Sequence, residues 1–138
     1  MLIKIIIAGS RNFNNYNYLK KSIIQIIKEL KKEYPQLDKN NIEIISGGAR
    51  GADLLGEKFA IEKNLKITKF IPDWNIGRHA GWLRNEDMAK YACDSDLGVC
   101  IAFWDEVSSG TKNMINNSNK YKLKTFVVKY NEEINKKV

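Results

Sequence analysis

Short apolar runs alternate with amphipathic stretches from one end of the 138-residue chain to the other, and no other feature restricts the fold as tightly. Residues 2–8 are apolar and β-branched almost throughout, as a strand buried on both faces must be. In residues 16–34, Leu19, Ile23, Ile26, Ile27, Leu30 and Tyr34 recur at steps of three and four, with Lys and Glu between them. That spacing predicts a helix with one apolar stripe, and Pro35 ends it. Further strands are predicted over 42–45, 66–71, 97–103 and 123–129. Further helices are predicted over 51–63, with Leu55 and Phe59 inward, over 78–92 and over 109–120. A polar tail from residue 130 frays or forms a short helix. Five strands joined by helices predict one α/β domain over 1–138. It is Rossmann-like and doubly wound, a mainly parallel five-stranded sheet with helices on both faces. Such sheets take ligands beyond the carboxyl ends of their strands, near the point where strand order reverses.

Composition narrows the function classes. Hydrophobic residues make up 43% of the chain and are clustered, which argues for a packed core over disorder. No apolar stretch approaches the roughly 20 residues of a spanning helix, so no membrane partner is expected. The first residues lack the pattern of a signal peptide and read as a strand. Two cysteines, Cys93 and Cys100, make no disulfide framework, so a cytoplasmic protein with reduced thiols is expected. One histidine (His79) and two cysteines seven residues apart give no metal-ligand set and no hydrolytic triad, and no cofactor is expected. The net charge of +7 comes from 23 cations, of which 19 are Lys and four are Arg. Heavy use of Lys, Asn and Ile is the signature of an AT-rich genome. Most lysines fall on predicted helix faces (Lys20, Lys21, Lys28, Lys31, Lys32) or in the tail (Lys136, Lys137), and read as solvated surface. Attraction to a polyanion is the sharper alternative.

The uncommon residues concentrate where the ligand rule places a site. The carboxyl ends of the first four predicted strands carry Gly9-Ser10-Arg11, the stretch from Ser46 to Asp53, Pro72-Asp73-Trp74, and Trp104-Asp105. All four arginines (Arg11, Arg50, Arg78, Arg84) fall in these segments or in the loop and helix after the third strand. Guanidinium forks bind phosphate and carboxylate bidentately, which Lys does not. Trp74, Trp82 and Trp104 lie there too, flat surfaces on which a base stacks, with packing under the third helix as the alternative for Trp82 and the core for Trp74. Seven of nine glycines belong to the same region: Gly9, Gly47, Gly48, Gly51, Gly77, Gly81 and Gly110. The strongest local signal is Ser46-Gly47-Gly48-Ala49-Arg50-Gly51-Ala52-Asp53, which follows a strand and opens a helix, a place suited to an anion. It is neither a dinucleotide fingerprint, since Ser46 stands where Gly is required, nor a P-loop, since Glu57-Lys58 replaces Lys-Ser/Thr. Ser108-Ser109-Gly110-Thr111 is a second strand-to-helix turn that caps a helix or holds a phosphate.

Together these segments resemble the SLOG superfamily of Rossmann-like proteins, and within it the YspA-like group. The resemblance rests on Gly9-Ser10-Arg11, Ser46 to Asp53, Asp73-Trp74, Gly77, Ala80-Gly81, Arg84-Asn85 with Met88, Asp94 to Asp96, Phe103-Trp104 and Ser109-Gly110-Thr111. It implies a nucleotide-related ligand. Three functional classes are open: phosphoribohydrolases of the lonely-guy type, single-stranded DNA binding as in DNA-processing proteins, and sensing of ADP-ribose-like signals in antiphage defence. The hydrolases pair an Arg with a Glu three residues after the Gly-Thr of the last phosphate loop. Arg84 matches the first, but Met114 stands at the second position, and a thioether moves no proton. Asp53 and Asp105 remain as carboxylates near the edge.

The expectation is a domain that binds an ADP-ribose-like ligand or another nucleoside phosphate, for sensing or for sequestration of a signal. Gly47, Gly48, Arg50 and Gly51, with Gly110 and Thr111, would cradle phosphates. Ser10, Arg11 and Arg84 would add charge-assisted hydrogen bonds, Trp74 or Trp104 would stack on a base, and Asp53 would take a ribose hydroxyl or cap its helix. Gly9, Ser46, Arg78, Gly81, Asn85 and Ser109 complete the expected set. The resemblance also implies a homo-oligomer; nucleic acid is the lesser alternative partner.

Overall fold

A computed structural model describes residues 1–136. The side chain of Lys136 and all of Lys137, placed at the surface above, lie outside the described residues. In chain order the elements are β1 (Ile3–Gly9), α1 (Tyr16–Glu33), β2 (Ile42–Ser46), α2 (Ala52–Glu62), β3 (Lys66–Lys69), α3 (Ala80–Cys93), β4 (Leu97–Trp104), α4 (Ser109–Lys120), β5 (Lys124–Lys129) and α5 (Glu132–Lys136). All five strands are parallel, in the order β3-β2-β1-β4-β5. The order reverses between β1 and β4, which pair along seven residues from Ile3↔Leu97 to Gly9↔Phe103.

Strand pleat sorts the core into two layers. Ile3, Ile5 and Ile7 face one way, onto Leu19, Ile23 and Leu30 of α1 and Ala52 and Phe59 of α2. Ile6 and Ala8 face the other way, onto Met88, Ala89 and Ala92 of α3 and Met114 and Ile115 of α4. This is the doubly wound Rossmann-like fold that the alternation predicts. Lys4 sits within the buried strand, and its chain reaches the end of α3, where Nζ donates to the carbonyls of Tyr91 (3.1 Å) and Asp94 (3.0 Å). The edge strands β3 and β5 carry Lys66, Lys69, Lys124 and Lys129, charges that discourage pairing with a further strand.

Two boundaries differ from the sequence expectation by two residues and the rest by one or none, and the tail takes its short-helix form. Strand β3 stops at Lys69, two residues early, because the chain turns away ahead of Pro72. Helix α3 begins at Ala80, so Arg78 and His79 belong to the preceding connection. The tail forms α5, which docks on the loop after β1: Asn135 donates from Nδ2 to the Asn12 carbonyl (2.8 Å) and accepts at Oδ1 from the Asn14 amide (2.8 Å). Ile5 is fully buried and Leu83 is 49% exposed. Urea unfolding should therefore show Ile5→Ala losing about 3 kcal/mol, and Leu83→Ala less than about 1 kcal/mol.

Candidate functional site

The connections that leave β1, β2, β3 and β4 converge at the carboxyl edge of the sheet, around a cleft of about 470 Å³. That is the size of an ordinary small-molecule site. The loop after β1 supplies Gly9, Ser10, Arg11 and Asn12; the loop into α2 supplies Ala49, Arg50 and Asp53. Trp74 and Arg78 come from the β3–α3 connection, and Gly81, Trp82, Arg84, Asn85 and Met88 from α3. The opposite wall is Asp105, Ser108, Ser109, Gly110, Thr111 and Met114. Trp74 and Trp82 are 55% and 53% exposed, so neither is spent on the core.

The arginines are set apart from the lysines by their partners. Eight ion pairs form among the described residues, and every one joins Lys to Glu. None of the four arginines is in an ion pair, yet all four line the cleft. Arg11, Arg50 and Arg78 are exposed, whereas Arg84 is half-buried and held. Its Nη1 donates to the carbonyl of Gly47 and, at 3.4 Å, to that of Phe70; its Nε donates to Asn85 Oδ1 at 3.0 Å. Asn85 in turn donates to the Gly110 carbonyl (3.3 Å) and to Asn113 (3.0 Å), so the position of Arg84 is tied to the start of α4.

Gly47 makes that crossing feasible, since a Cβ there would lie 2.5 Å from Arg84 Nη1 and 2.8 Å from Asp53 Oδ2. Gly51 serves a different joint. Its φ is +85°, and a Cβ would lie 2.5 Å from the carbonyl oxygens of Ser10 and Arg11, so α2 starts directly against the β1 loop. Gly51 therefore packs two loops together and does not line the cleft.

The amides of the glycine-rich loop turn inward. Gly48 N–H donates to Ser46 Oγ (3.1 Å) and Ala49 N–H to Asp53 Oδ2 (3.2 Å). Ser46, fully buried, donates in turn to Glu57 (2.6 Å). What this loop offers the cleft is the Arg50 side chain and the Ala49 surface, while Gly47 and Gly48 line an adjoining cleft. The start of α4 is more open. Asp105 Oδ1 accepts from the amides of Val107 (2.9 Å) and Ser108 (2.8 Å), and Ser108 Oγ accepts from Thr111 N (3.3 Å). The amides of Ser109 and Gly110 have no acceptor among the described residues, and they stand at a helix N-terminus where anions are favoured.

Asp53 and Asp105 are shifted in opposite directions. Burial pushes the Asp53 carboxyl up to about 6, against the pull of the Ala49 amide, Arg84 and Arg11. Burial also acts upward on Asp105, but the Ser108 and Val107 amides outweigh it and hold its carboxyl below the ordinary value. Ser10 Oγ is enclosed beside Asp105 and Tyr130 and makes no hydrogen bond of good geometry.

Of the expected site residues, Gly9, Ser10, Arg11, Arg50, Asp53, Trp74, Arg78, Gly81, Arg84, Asn85, Ser109, Gly110 and Thr111 line the one cleft. Ser46 lies beneath its floor, and Trp104 turns aside because its indole N–H donates to the Ser108 carbonyl (3.0 Å) while its ring joins the α3–α4 core. Ser108, read from the sequence as part of a turn that caps a helix or holds a phosphate, also lines the cleft. Asn12 lines it without having been named, and its place beside Arg11 was the available signal.

Because the folded-state pKa of Asp53 is above its unfolded value, its contribution favours folding at low pH and is lost as pH rises from about 4 to about 6. Asp53→Asn keeps an acceptor for Ala49 and removes the titration. Measured against pH, the wild type should lose roughly 3 kcal/mol relative to the variant across that window, at about 1.4 kcal/mol per pH unit. A constant difference would contradict the assignment.

A search of curated proteins and a search of solved structures each found no match to the chain. A family model described as YspA, cpYpsA-related SLOG family matches residues 3–77. The matched region runs from β1 through the glycine-rich loop to the turn after Trp74, more than half of the chain, and carries Arg11, Arg50 and Asp53. In general terms this points to a nucleotide-related ligand, and the chain belongs to the YspA, cpYpsA-related SLOG family.

Proposed function

We propose that the cleft binds a nucleotide-derived small molecule, ADP-ribose-like or another nucleoside phosphate, for sensing or for sequestration of a signal, as in phage defence. The supporting observation is the convergence of all four arginines on one cleft, with no ion pair to a carboxylate among the described residues, while eight of the lysines pair with glutamates elsewhere. Unpaired guanidinium forks at a crevice are matched by phosphate oxygens. Arg11, Arg50 and the amides of Ser109 and Gly110 hold phosphate in this reading. Trp74 and Trp82 take a base, and ionised Asp105 accepts from a ribose hydroxyl.

Binding without turnover is the better supported form. Met114, 1% exposed at the cleft floor, stands where the hydrolase pattern needs a carboxylate, and a thioether is neither acid nor base at neutral pH.

Calorimetry and thermal melting with AMP, ADP-ribose and NAD test the reading. At 100 times Kd a ligand adds about 2.7 kcal/mol of stability, a clear rise in Tm. Arg11→Ala and Arg50→Ala should each weaken binding about tenfold or more, and Trp74→Ala about tenfold. Chromatography after long incubation should return the ligand intact. No heat and no change in Tm with any of the three would overturn the reading. Binding of single-stranded DNA alone, falling steeply with salt, would replace it with a nucleic-acid function.

A further inference from the structure

A second cleft of about 550 Å³ adjoins the first and shares Arg11, Ala49, Arg50, Trp74 and Arg84 with it. The shared residues form a ridge, so three guanidinium groups border two cavities at once. Beyond the ridge the second cleft is walled by Gly47, Gly48, Ile71 and Pro72. Ile71 is 66% exposed, and its Cδ1 would lie 2.6 Å from a Cβ at Gly48, so its side chain rests on bare loop backbone. Leaving an isoleucine of this size in water has a cost that burial under a ligand would remove. The Arg84 fork is fixed at Nε and Nη1, while Nη2 makes no hydrogen bond among the described residues.

Resting on the reading above, we infer that the ligand is two-armed: a nucleoside diphosphate whose terminal phosphate carries a second sugar or nucleoside, with the diphosphate on the Arg11–Arg50–Arg84 ridge and one arm in each cleft. A diphosphate diester carries one negative charge on each phosphorus, and two such charges in sequence suit a row of three guanidiniums that forms no ion pair among the described residues and has the one Asp53 carboxyl beneath it. A mononucleotide in the first cleft would leave Ile71 and Pro72 in water. A second arm covers them, and its connection to the first makes the second contact intramolecular.

Titration calorimetry with AMP, ADP and ADP-ribose tests this on the wild type and two variants. Ile71→Asn changes an apolar side chain of the second cleft without adding charge beside the ridge, and Ser109→Asp alters the first alone while leaving an acidic side chain acceptable at a helix start. The wild type should bind ADP-ribose at least tenfold tighter than AMP or ADP. Ile71→Asn should reduce ADP-ribose affinity at least tenfold and leave AMP within about twofold, which also shows that the variant is folded. Ser109→Asp should weaken both. Equal wild-type affinities for AMP and ADP-ribose, or an Ile71→Asn effect equal on both or on neither, would overturn the two-armed ligand while leaving nucleotide binding intact. Absence of binding by all three would overturn both.

Discussion

Arg84 crosses the end of the sheet from α3 to the Gly47 carbonyl, and the arrangement of the cleft depends on that crossing. It requires a missing side chain at Gly47, a buried carboxyl beneath at Asp53, and Asn85 to pass the constraint on to the first turn of α4. Four segments far apart in sequence are thereby fixed relative to one another. Burying a guanidinium costs free energy unless its donors are used, and here three protein oxygens use them. Nη2 of the same group makes no hydrogen bond among the described residues, and Arg11 and Arg50 line the same cleft. A geometry stiffened in this way is prepared for a ligand, so little ordering remains to be done on binding.

Charge is handled differently on the rest of the molecule. Lysines pair with glutamates across helices and strand edges, most at the surface, where such pairs add little stability but keep the field mixed. The net charge of +7 is therefore spread over the surface, with lysines both paired and unpaired, while all four arginines line one rim. A chain can carry that imbalance when something anionic relieves it. The ionised Asp105 at the far wall prevents the rim from being uniformly positive and gives a bound molecule an orientation.

Much of this was legible in residue order. The continuous apolar run of β1, the three- and four-residue steps of α1 and the alternation through β5 specified a parallel sheet, since each pattern has one physical reading at that length. Clustering of Arg among so many Lys marked the rim before any coordinates. The direction of the amides at Gly48 and Ala49 was not legible, because it depends on where Ser46 and Asp53 point, and glycine permits either arrangement. Nor was the aside turn of Trp104, which follows from a carbonyl four residues later. The docking of α5 also escaped, because an Asn-rich loop held by side-chain amides has no apolar period to betray it.

We propose that the arginines at the carboxyl edge hold phosphate. A crystal structure grown with ADP-ribose measures it most directly. Phosphate oxygens are expected within hydrogen-bond distance of Arg11, Arg50 and Arg84 Nη2, beside the amides that open α4. Phosphates held by surface lysines, with those guanidinium groups still facing solvent, would contradict it.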